Sequence, residues 1–497
     1  MAECNVASFL RVAQAAKPVS HLRRLAWRRI QEHLGWRKPD EDSLLLDTVR
    51  RVCVLASSSR GGTSVTAEFL QWQGADCDLP AGRMLTLPGE EKPHLILSGL
   101  AFPTREQRFD NLEASDTHEP CLTRLLAEMT SEVGYPVVYC TDLELYSIQL
   151  YRRLLLQWPL HMIALEQRVA IRALADALRG AFGGRYCDSA SSRTRVLECC
   201  TECFPFIRTS FYDCSPVKRI GDSRALEHGA WSLEEPPFVL PPPWHNATAE
   251  ELADGTLLLR DPSNAWRLGF WKAVFSIQEV LILHLMRDVR ESIQGLCDGW
   301  NYPFGFQTLA TDVPLCIAGY TDEPIGGDAN WKQYRLNFSV DRRLSRQLLE
   351  ERRPMTLVEV CGRQWREAHE QILADAAELS LSRIALQFSA LRKNPIGVFN
   401  RTCTMLGLEV SRSGIAYAES FPSRWVMATV IGPEASHGRW RHSPHATEIR
   451  KIADRREFVE VTRRLMSSSI STSAVEDAFS VHLTTRSSGP VQVCASA

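Results

Sequence analysis

The residues with the clearest capacity for chemistry lie in a polar loop at positions 57–64. This loop, Ser-Ser-Ser-Arg-Gly-Gly-Thr-Ser, follows an apolar run at 52–56 and precedes a helix that we predict to begin near Val65. Free backbone N–H groups in such a turn, together with the positive end of the following helix, bind anions. Gly61 and Gly62 allow a tight turn and a close approach of the backbone to a ligand. The pattern therefore predicts a phosphate-binding loop, with an ordinary surface turn as the alternative.

The side chains of the same loop add donors for an anion. Ser59, Thr63 and Ser64 contribute hydroxyl groups, and Arg60 contributes a forked guanidinium that suits phosphate or sulfate oxygens. The loop lacks the lysine and the spacing of the nucleotide-binding pattern G-x-x-x-x-G-K-[ST]. We therefore expect a phosphate loop of a kind other than an ATPase loop.

A second candidate anion site follows the strongest strand signal of the chain. The apolar run at 280–286 leads directly into Arg287, and a helix is predicted from Val289. A guanidinium at a strand end, a helix N-terminus and the hydroxyl of Ser292 can hold a phosphate together. The alternative is an arginine in a surface ion pair.

A third candidate is a basic loop near the end of the chain, Ser-His-Gly-Arg-Trp-Arg at 436–441. Arg439 and Arg441 are candidate cations for a phosphate, and the indole ring of Trp440 is suited to stacking on a base. A solvated basic turn is the alternative.

These segments, in this order, resemble the sulfotransferases that use 3′-phosphoadenosine-5′-phosphosulfate (PAPS). The loop at 57–64 resembles the family's Pro-Arg-Ser-Gly-Thr-Thr loop, which binds the 5′-phosphate. The segment 283–292 resembles the strand and Arg-Asp-Pro-Arg motif that binds the 3′-phosphate, although Val289 replaces the proline. Gly295 stands where the family's serine is expected, and Ser292, one helical turn earlier, is the candidate substitute.

Two more segments strengthen the resemblance, which covers about 51–452. Leu259–Asn264, with Arg260, looks like the Lys-x-Pro strand end of many sulfotransferases, and 436–441 is similar to the late loop that closes over the nucleotide. The arginine in the phosphate loop places the chain nearer the carbohydrate, tyrosylprotein and bacterial natural-product enzymes than the cytosolic enzymes with a lysine loop.

The resemblance implies an activity and a co-substrate. The protein would transfer a sulfuryl group from PAPS to a hydroxyl or amine of a small-molecule acceptor, such as a natural product, without a metal. Arg60 would stabilise the charge on the transferring group. The alternatives are a kinase-like phosphotransferase and an inactive nucleotide-binding scaffold.

An acceptor hydroxyl needs a general base, and carboxylates follow Arg60 by about thirty residues in the segment 87–94, Leu-Pro-Gly-Glu-Glu-Lys-Pro-His. Its Gly-Glu-Glu resembles the tyrosylprotein sulfotransferase segment in which the second glutamate is the base. We expect Glu91 to be the base, followed by His94 and then Glu90, with a solvated acidic turn as the alternative. Weaker candidates are Glu234, Glu235 and His284, the last of which is more typical of a core residue.

The elements that position these groups form an alternating pattern of strands and helices. Short apolar runs at 256–260, 280–286 and 382–388, each followed by a helix, predict an α/β fold with a parallel sheet flanked by helices, and the resemblance makes it P-loop-like. We predict a helical N-terminal extension at 1–48, a sulfotransferase α/β domain at 49–466 with a helical and Pro-rich insertion at 118–250, and a poorly ordered Ser/Thr-rich tail at 467–497. Within the insertion, 118–180 is predicted to be helical, 181–230 irregular, and 234–243 an exposed linker.

Net charge and cysteine content limit the expected partners, cellular compartment and metal content of the protein. A net charge of −2 gives no electrostatic reason to expect nucleic acid or an anionic membrane as a partner. The fifteen cysteines are scattered along the chain. Without a signal sequence, they indicate reduced thiols and therefore a cytoplasmic protein. A homodimer is compatible with this interpretation. Cys200-x-x-Cys203 supplies half of a zinc site, but buried thiols explain it better and we expect no metal.

Overall fold

The computed structural model describes residues 48–75, 82–100, 112–117, 119–215, 234, 238–301, 308–310, 313–320, 335–337, 342–424 and 438–466. The predicted extension at 1–48, apart from Thr48, and the predicted tail at 467–497 lie outside these ranges. The described chain is a mixed α/β structure, in which helices flank a mostly parallel sheet.

Seven strands form the central sheet. In chain order they are β1 (Arg51–Ala56), β2 (Met84–Thr86), β3 (Gly134–Pro136), β4 (Trp244–Asn246), β5 (Thr256–Arg260), β6 (Glu279–Met286) and β7 (Ser382–Gln387). Their order across the sheet is β7-β6-β1-β5-β2-β3-β4, and the first five run parallel. The parallel sheet predicted from the alternating pattern is confirmed for those five strands.

The helices that surround the sheet vary widely in length. In chain order they are α1 (Thr63–Gln71), α2 (Lys92–Ser98), α3 (Glu119–Glu132), α4 (Leu143–Gln157), α5 (Pro159–Met162), α6 (Gln167–Phe182), α7 (Ala190–Cys203), α8 (Ala249–Asp254), α9 (Leu268–Val274), α10 (Val289–Trp300), α11 (Arg342–Leu349), α12 (Leu357–Glu378), α13 (Phe388–Lys393), α14 (Pro395–Met405), α15 (Arg412–Arg424), α16 (Ala446–Ala453) and α17 (Arg456–Met466). None of the helices in the described ranges is long and apolar enough to cross a bilayer.

The central strand β1 is apolar on both faces, which explains its continuous hydrophobic sequence. Val52 and Val54 pack into one core beneath the sheet, whereas Cys53 and Leu55 pack into another on the opposite face. Successive side chains of a strand point to opposite faces, so a strand covered on both sides needs an unbroken apolar run. Because β1, β5 and β6 run parallel to one another, their carboxyl ends lie at the same edge of the sheet.

The edge of the sheet departs from the predicted parallel pattern. β3 pairs antiparallel with β2, and β4 pairs antiparallel with β3. Their sequences, Gly-Tyr-Pro and Trp-His-Asn, contain no apolar alternation that would indicate a strand. The pairing comes from tertiary contacts, such as the Trp244 indole N–H that donates to the Glu132 carbonyl over 3.0 Å.

The prediction that 181–230 is irregular is wrong for its first half, because α7 occupies Ala190–Cys203. Ser189 begins this helix by accepting a hydrogen bond from the Ser192 N–H. Val196 and Cys200 lie on its buried face, so cysteine here does the packing that leucine usually does. The prediction of a helical stretch over 118–180 is confirmed in outline, since α3 to α6 fill most of it.

The Pro-rich stretch at 234–243 is not the exposed linker that was predicted. Leu240 to Pro243 are buried, and the Tyr146 hydroxyl of α4 donates to the Pro241 carbonyl over 3.0 Å. Proline has no backbone N–H to donate to a neighbouring strand. Its carbonyl oxygen still needs a hydrogen-bond donor when it is buried. The side chains of α4 supply such donors, which draws the stretch into the core.

Candidate functional site

The predicted phosphate loop lies at the carboxyl end of β1, the strand between β6 and β5. Its turn is closed by the Gly61 N–H, which donates to the Ser58 carbonyl over 3.0 Å. Arg60 has φ 61° and Gly62 has φ 101°, so two residues of the loop, separated by Gly61, have positive φ. A non-glycine residue in that region costs about 1 kcal/mol or more, and such backbone is concentrated at binding and catalytic sites.

The first three serines of the loop carry hydroxyls without described partners. Ser57, Ser58 and Ser59 are at most 2% exposed, and none of their Oγ atoms has a hydrogen-bond partner among the described residues. Buried hydroxyls are nearly always hydrogen-bonded, so three in succession are an observation that points to a ligand. Ser59 was predicted to bind the anion; Ser57 and Ser58 were not, although the serine run was visible in the sequence.

The two glycines of the loop are needed for packing as well as for the turn. A side chain on Gly61 would overlap the Ser57 Oγ, and a Cβ on Gly62 would lie 2.6 Å from Cε2 of Phe388. Thr63, which is buried, and Ser64 form the first turn of α1. The loop is therefore held rigidly between β1 and α13, which begins at Phe388.

Arg287 lies beside the loop, as predicted. It follows directly after β6, and its Nη1 donates to the Arg60 carbonyl over 3.0 Å. A Cβ on Gly295 would lie 3.5 Å from the Arg60 Cβ and 3.7 Å from the Arg287 Nη1, at ordinary contact distance. The structure thus brings the loop, Arg287 and the Gly295 position of α10 together. Ser292 is fully buried, and its Oγ has no described partner.

Glu291 joins Arg287 to the late basic loop. One of its oxygens, Oε2, lies 3.5 Å from the Arg287 Nη2, and the other, Oε1, accepts a hydrogen bond from the Gly438 N–H over 2.6 Å. Arg439, in the short helix that Gly438 begins, forms an ion pair with Asp298 of α10. The described part of the late loop therefore docks on α10 beside Arg287; its first residues, 436–437, lie outside the described ranges.

Several guanidinium groups converge on this end of the sheet. Burial lowers the pKa of Arg287, as do the neighbouring charges of Arg392 and Arg439, whereas Glu291 opposes the shift. Burial likewise lowers the pKa of Arg392 and that of Arg439. An excess of buried positive charge beside orphaned hydroxyls favours an anionic ligand. No local pattern around Arg392 indicated this role; α13 carries the residue into the cluster.

Trp440 occupies a different environment from the one proposed for it. Its ring is only 6% exposed and packs in an apolar core with α10 and α16. The guanidiniums of Arg290, Arg441 and Arg450 lie 5.1–5.8 Å from the ring centroid. With those cations at the ring, Trp440 anchors the late loop, and stacking on a base would require Arg290, Arg441 or Arg450 to move.

The predicted base lies at the carboxyl ends of β2 and β5, on the other side of the loop from Arg287. Glu90 accepts a hydrogen bond from the Ser64 hydroxyl over 3.2 Å, which joins it to α1. Glu91 is fully buried: its Oε1 accepts a hydrogen bond from the Arg260 N–H, and its Oε2 has no described partner. Burial and the neighbouring Asp261 carboxylate raise the pKa of Glu90 to about 7 and that of Glu91 to about 8.

Arg260 fixes the segment that carries both glutamates. Its Nε donates to the Gly89 carbonyl over 2.9 Å, while its backbone N–H holds Glu91. Arg153 of α4 packs against Gly89 and pairs with Glu234 at 2.7 Å. Glu234, a weaker candidate base, therefore belongs to the same buried network; Glu235 lies outside the described residues.

The two histidines considered in the sequence lie elsewhere. His94 is buried on α2 with its Nε2 3.5 Å from Glu132, and burial lowers its pKa. His284 lies in β6, fully buried, with its Nε2 2.8 Å from the Nδ1 of His369. The interpretation of His284 as a hydrogen-bonded core residue is confirmed, and the pair of imidazoles is fixed by α12 packing on the sheet.

The described cysteines, twelve in all, are free thiols. Cys200 is buried in α7, and the described residues contain no group of three or more histidine, cysteine or acidic residues arranged to hold a metal ion.

Comparison with known proteins identifies no relative. A scan against protein-family models, a search of curated proteins and a search of solved structures each found no match.

Proposed function

We propose that this protein is a PAPS-dependent sulfotransferase built on a P-loop-like α/β fold, acting on a hydroxyl or amine of a small-molecule acceptor in the cytoplasm. One observation carries the proposal. Three buried serine hydroxyls without described partners and the partly buried guanidinium of Arg287 lie at the carboxyl ends of two adjacent parallel strands. Ligands of open parallel sheets bind at that edge.

The donor set fits the two phosphate groups of adenosine 3′,5′-bisphosphate. The loop hydroxyls and the start of α1 would hold the 5′-phosphate, and Arg287 with the late loop would hold the 3′-phosphate. PAPS supplies a sulfuryl group, whose bond to the 5′-phosphate oxygen breaks as a bond to the acceptor forms. Arg60 lies in the loop, and its carbonyl accepts a hydrogen bond from Arg287; we assign to its guanidinium the role of offsetting the charge on the transferring group.

Glu91 is the residue we propose as the base. Its carboxyl is buried at the next strand end, one oxygen is held by the Arg260 N–H, and the other has no described partner. A pKa of about 8 is close to the working pH that favours general-base catalysis. The acceptor loses its proton to this carboxylate as the sulfuryl group arrives.

Calorimetry with the full-length protein tests the nucleotide assignment. We expect adenosine 3′,5′-bisphosphate to bind at least ten times more tightly than ATP with magnesium, and EDTA to leave that binding unchanged. The Arg287→Ala variant should lose affinity, and Arg195→Ala, which removes an exposed arginine of α7, should not. A preference for ATP with magnesium would instead favour a kinase-like phosphotransferase.

Transfer of labelled sulfur tests the activity itself. The protein is incubated with [³⁵S]PAPS and a panel of phenols, alcohols and amines, and labelled products are separated from the donor. Labelled acceptor formed by the wild type but not by Arg60→Ala would support the proposal. Tight bisphosphate binding with no transfer to any member of the panel would favour a nucleotide-binding scaffold.

A further inference from the structure

A second concave site lies on the late helices, apart from the loop at 57–62. It is a cavity of about 200 Å³ between the start of α12 and the junction of α16 with α17. The lining residues are Arg353, Pro354, Met355, Glu359, Arg363, Arg366, Ile452, Arg455, Glu457 and Phe458. We name it the arginine pocket.

The floor of the arginine pocket is apolar and firmly packed. Met355, Ile452 and Phe458 are buried, and Pro354 adds a rigid ring at the mouth. A Cβ on Gly362 of α12 would lie 2.9 Å from Ile452 Cγ2 and 3.2 Å from Phe458 Cζ, so the helices are in close contact beneath the cavity. The pocket is therefore a fixed depression with a narrow apolar floor, while most of its accessible lining is polar.

The walls carry an excess of positive charge. Four arginines and two glutamates line the cavity, which leaves two more positive than negative charges. Arg455 pairs with Glu359 at 3.3 Å, and Arg366 lies 3.5 Å from Glu370, outside the lining. These pairs satisfy only part of the cationic wall.

Two of the guanidiniums have no acidic partner. Among the described residues, neither Arg353 nor Arg363 has a carboxylate within ion-pair distance; Arg363 donates only to the side-chain amide oxygen of Gln347. Burial lowers the pKa of Arg363, and the like charges of Arg353 and Arg366 act in the same direction, whereas the carboxylates of Glu367 and Glu359 oppose the shift. The repulsion between closely placed guanidiniums is reduced when an anion accepts hydrogen bonds from more than one of them.

We infer that the arginine pocket binds a small organic anion with a tetrahedral oxyanion head, a phosphate or sulfate monoester, on a short apolar body. The forked donors of Arg353 and Arg363 match the head group, and Met355, Ile452 and Phe458 receive the body. The cavity is smaller than the roughly 300–1,000 Å³ of sites for drug-sized ligands, so one ring or a short chain fills it. The inference stands independently of the proposed sulfotransferase activity.

Calorimetry with phenyl phosphate, phenyl sulfate, inorganic phosphate and benzyl alcohol tests the inference on the full-length protein. We expect phenyl phosphate or phenyl sulfate to bind with a dissociation constant of about 1 mM or below. Inorganic phosphate lacks the apolar body and benzyl alcohol lacks the charge, so both should bind at least tenfold more weakly. The stronger of the two esters identifies the head group. Equal binding of inorganic phosphate, or no binding of either ester up to about 10 mM, overturns the inference.

Variants locate the bound ester. Arg353→Gln combined with Arg363→Gln should weaken it about tenfold or more, the loss expected for charged hydrogen bonds. Glu457→Gln removes an exposed negative charge at the rim and should tighten binding about two- to fivefold. Arg456→Gln removes one positive charge, as each arginine substitution in the pocket does, but one residue away from the lining, and should have no effect. Because Glu457→Gln must act in the opposite direction, a folding defect cannot mimic the expected set.

The remaining control separates the two candidate sites. Arg60→Ala should leave the affinity for the ester unchanged. If Arg60→Ala abolishes ester binding while Arg353→Gln with Arg363→Gln preserves it, the ester occupies the phosphate loop and the arginine pocket is not its site.

Discussion

Replacing Glu91 with glutamine should change how the stability of the protein depends on pH. Glu91 has an ordinary pKa of 4.5 and a pKa of about 8 in the folded protein, because burial and the Asp261 carboxylate disfavour its charge. Between those values the folded state holds a proton that the unfolded state has lost. The contribution of Glu91 to the free energy of unfolding is therefore fully present below pH 4.5 and is lost as the pH rises through about 8.

The magnitude follows from the difference between the two pKa values. A difference of about 3.5 corresponds to at most about 5 kcal/mol, since one pKa unit is worth about 1.4 kcal/mol. Glutamine keeps the shape and the acceptor for the Arg260 N–H but cannot ionise. We therefore expect Glu91→Gln to be close to wild-type stability near pH 5 and more stable, by up to that amount, above pH 8.

Urea unfolding measured at half-unit steps from pH 5 to pH 9 checks this expectation. The slope of unfolding free energy against pH should differ between wild type and Glu91→Gln by up to about 1.4 kcal/mol per pH unit. Glu144→Gln, a change at a carboxylate 72% exposed on α4, should keep the wild-type slope. Identical slopes for wild type and Glu91→Gln would refute the burial of an ionisable group at this position, and with it the environment proposed for the base.

Three further substitutions test the anion site. Arg60→Ala should lower the rate of sulfur transfer by about two or more orders of magnitude, as the loss of a charge-stabilising donor does, and [³⁵S]PAPS turnover measures it; a wild-type rate would remove Arg60 from the chemistry. Arg287→Ala should weaken bisphosphate binding by about 1.5–3 kcal/mol in calorimetry, since a charged hydrogen bond is lost, and unchanged affinity would contradict the assignment of the 3′-phosphate. Gly295→Ser should tighten bisphosphate binding about two- to tenfold, because a Cβ fits there and adds a hydroxyl beside Arg287; weaker binding would place the phosphate elsewhere.

Much of the parallel core could be predicted because each strand carries its own signal. The runs that form β1, β5 and β6 are almost continuously apolar, as burial on both faces requires, whereas β7 is apolar only in its centre, Ile384–Leu386. All four begin and end within about a residue of the predicted limits. The edge strands β3 and β4 have no such pattern, since they form only where α3 and the buried Pro-rich stretch bring their backbones together. Tertiary contacts of that kind leave no trace in a local sequence window.

The candidate site likewise contains residues that a local sequence pattern predicts and others that only tertiary packing brings in. The loop that carries Arg60, as well as Arg287, could be placed at strand ends in advance, because each follows a predicted strand of a parallel sheet. Their direct neighbourhood depends on the strand order, which was not predicted. Glu291 and Arg392 could not, since their approach to Arg287 depends on how α10 and α13 pack. Sequence likewise indicated that Glu91 could act as a base, but not that the end of β5 holds it through a backbone N–H.

Through its carboxylate, Glu291 stabilises the cluster formed by Arg287, Arg392 and Arg439. Its carboxylate lies between Arg287 and the Gly438 N–H, so one acidic group offsets part of the positive charge and anchors the late loop. An anion that binds Arg287 approaches this carboxylate, and their repulsion opposes binding. The positive charges of Arg392 and Arg439 interact with Glu291 and so reduce its repulsion of the anion. If the proposed function holds, the affinity of Arg287 for a phosphate would be set by the balance of charges in this whole cluster, which includes the late loop that Glu291 holds.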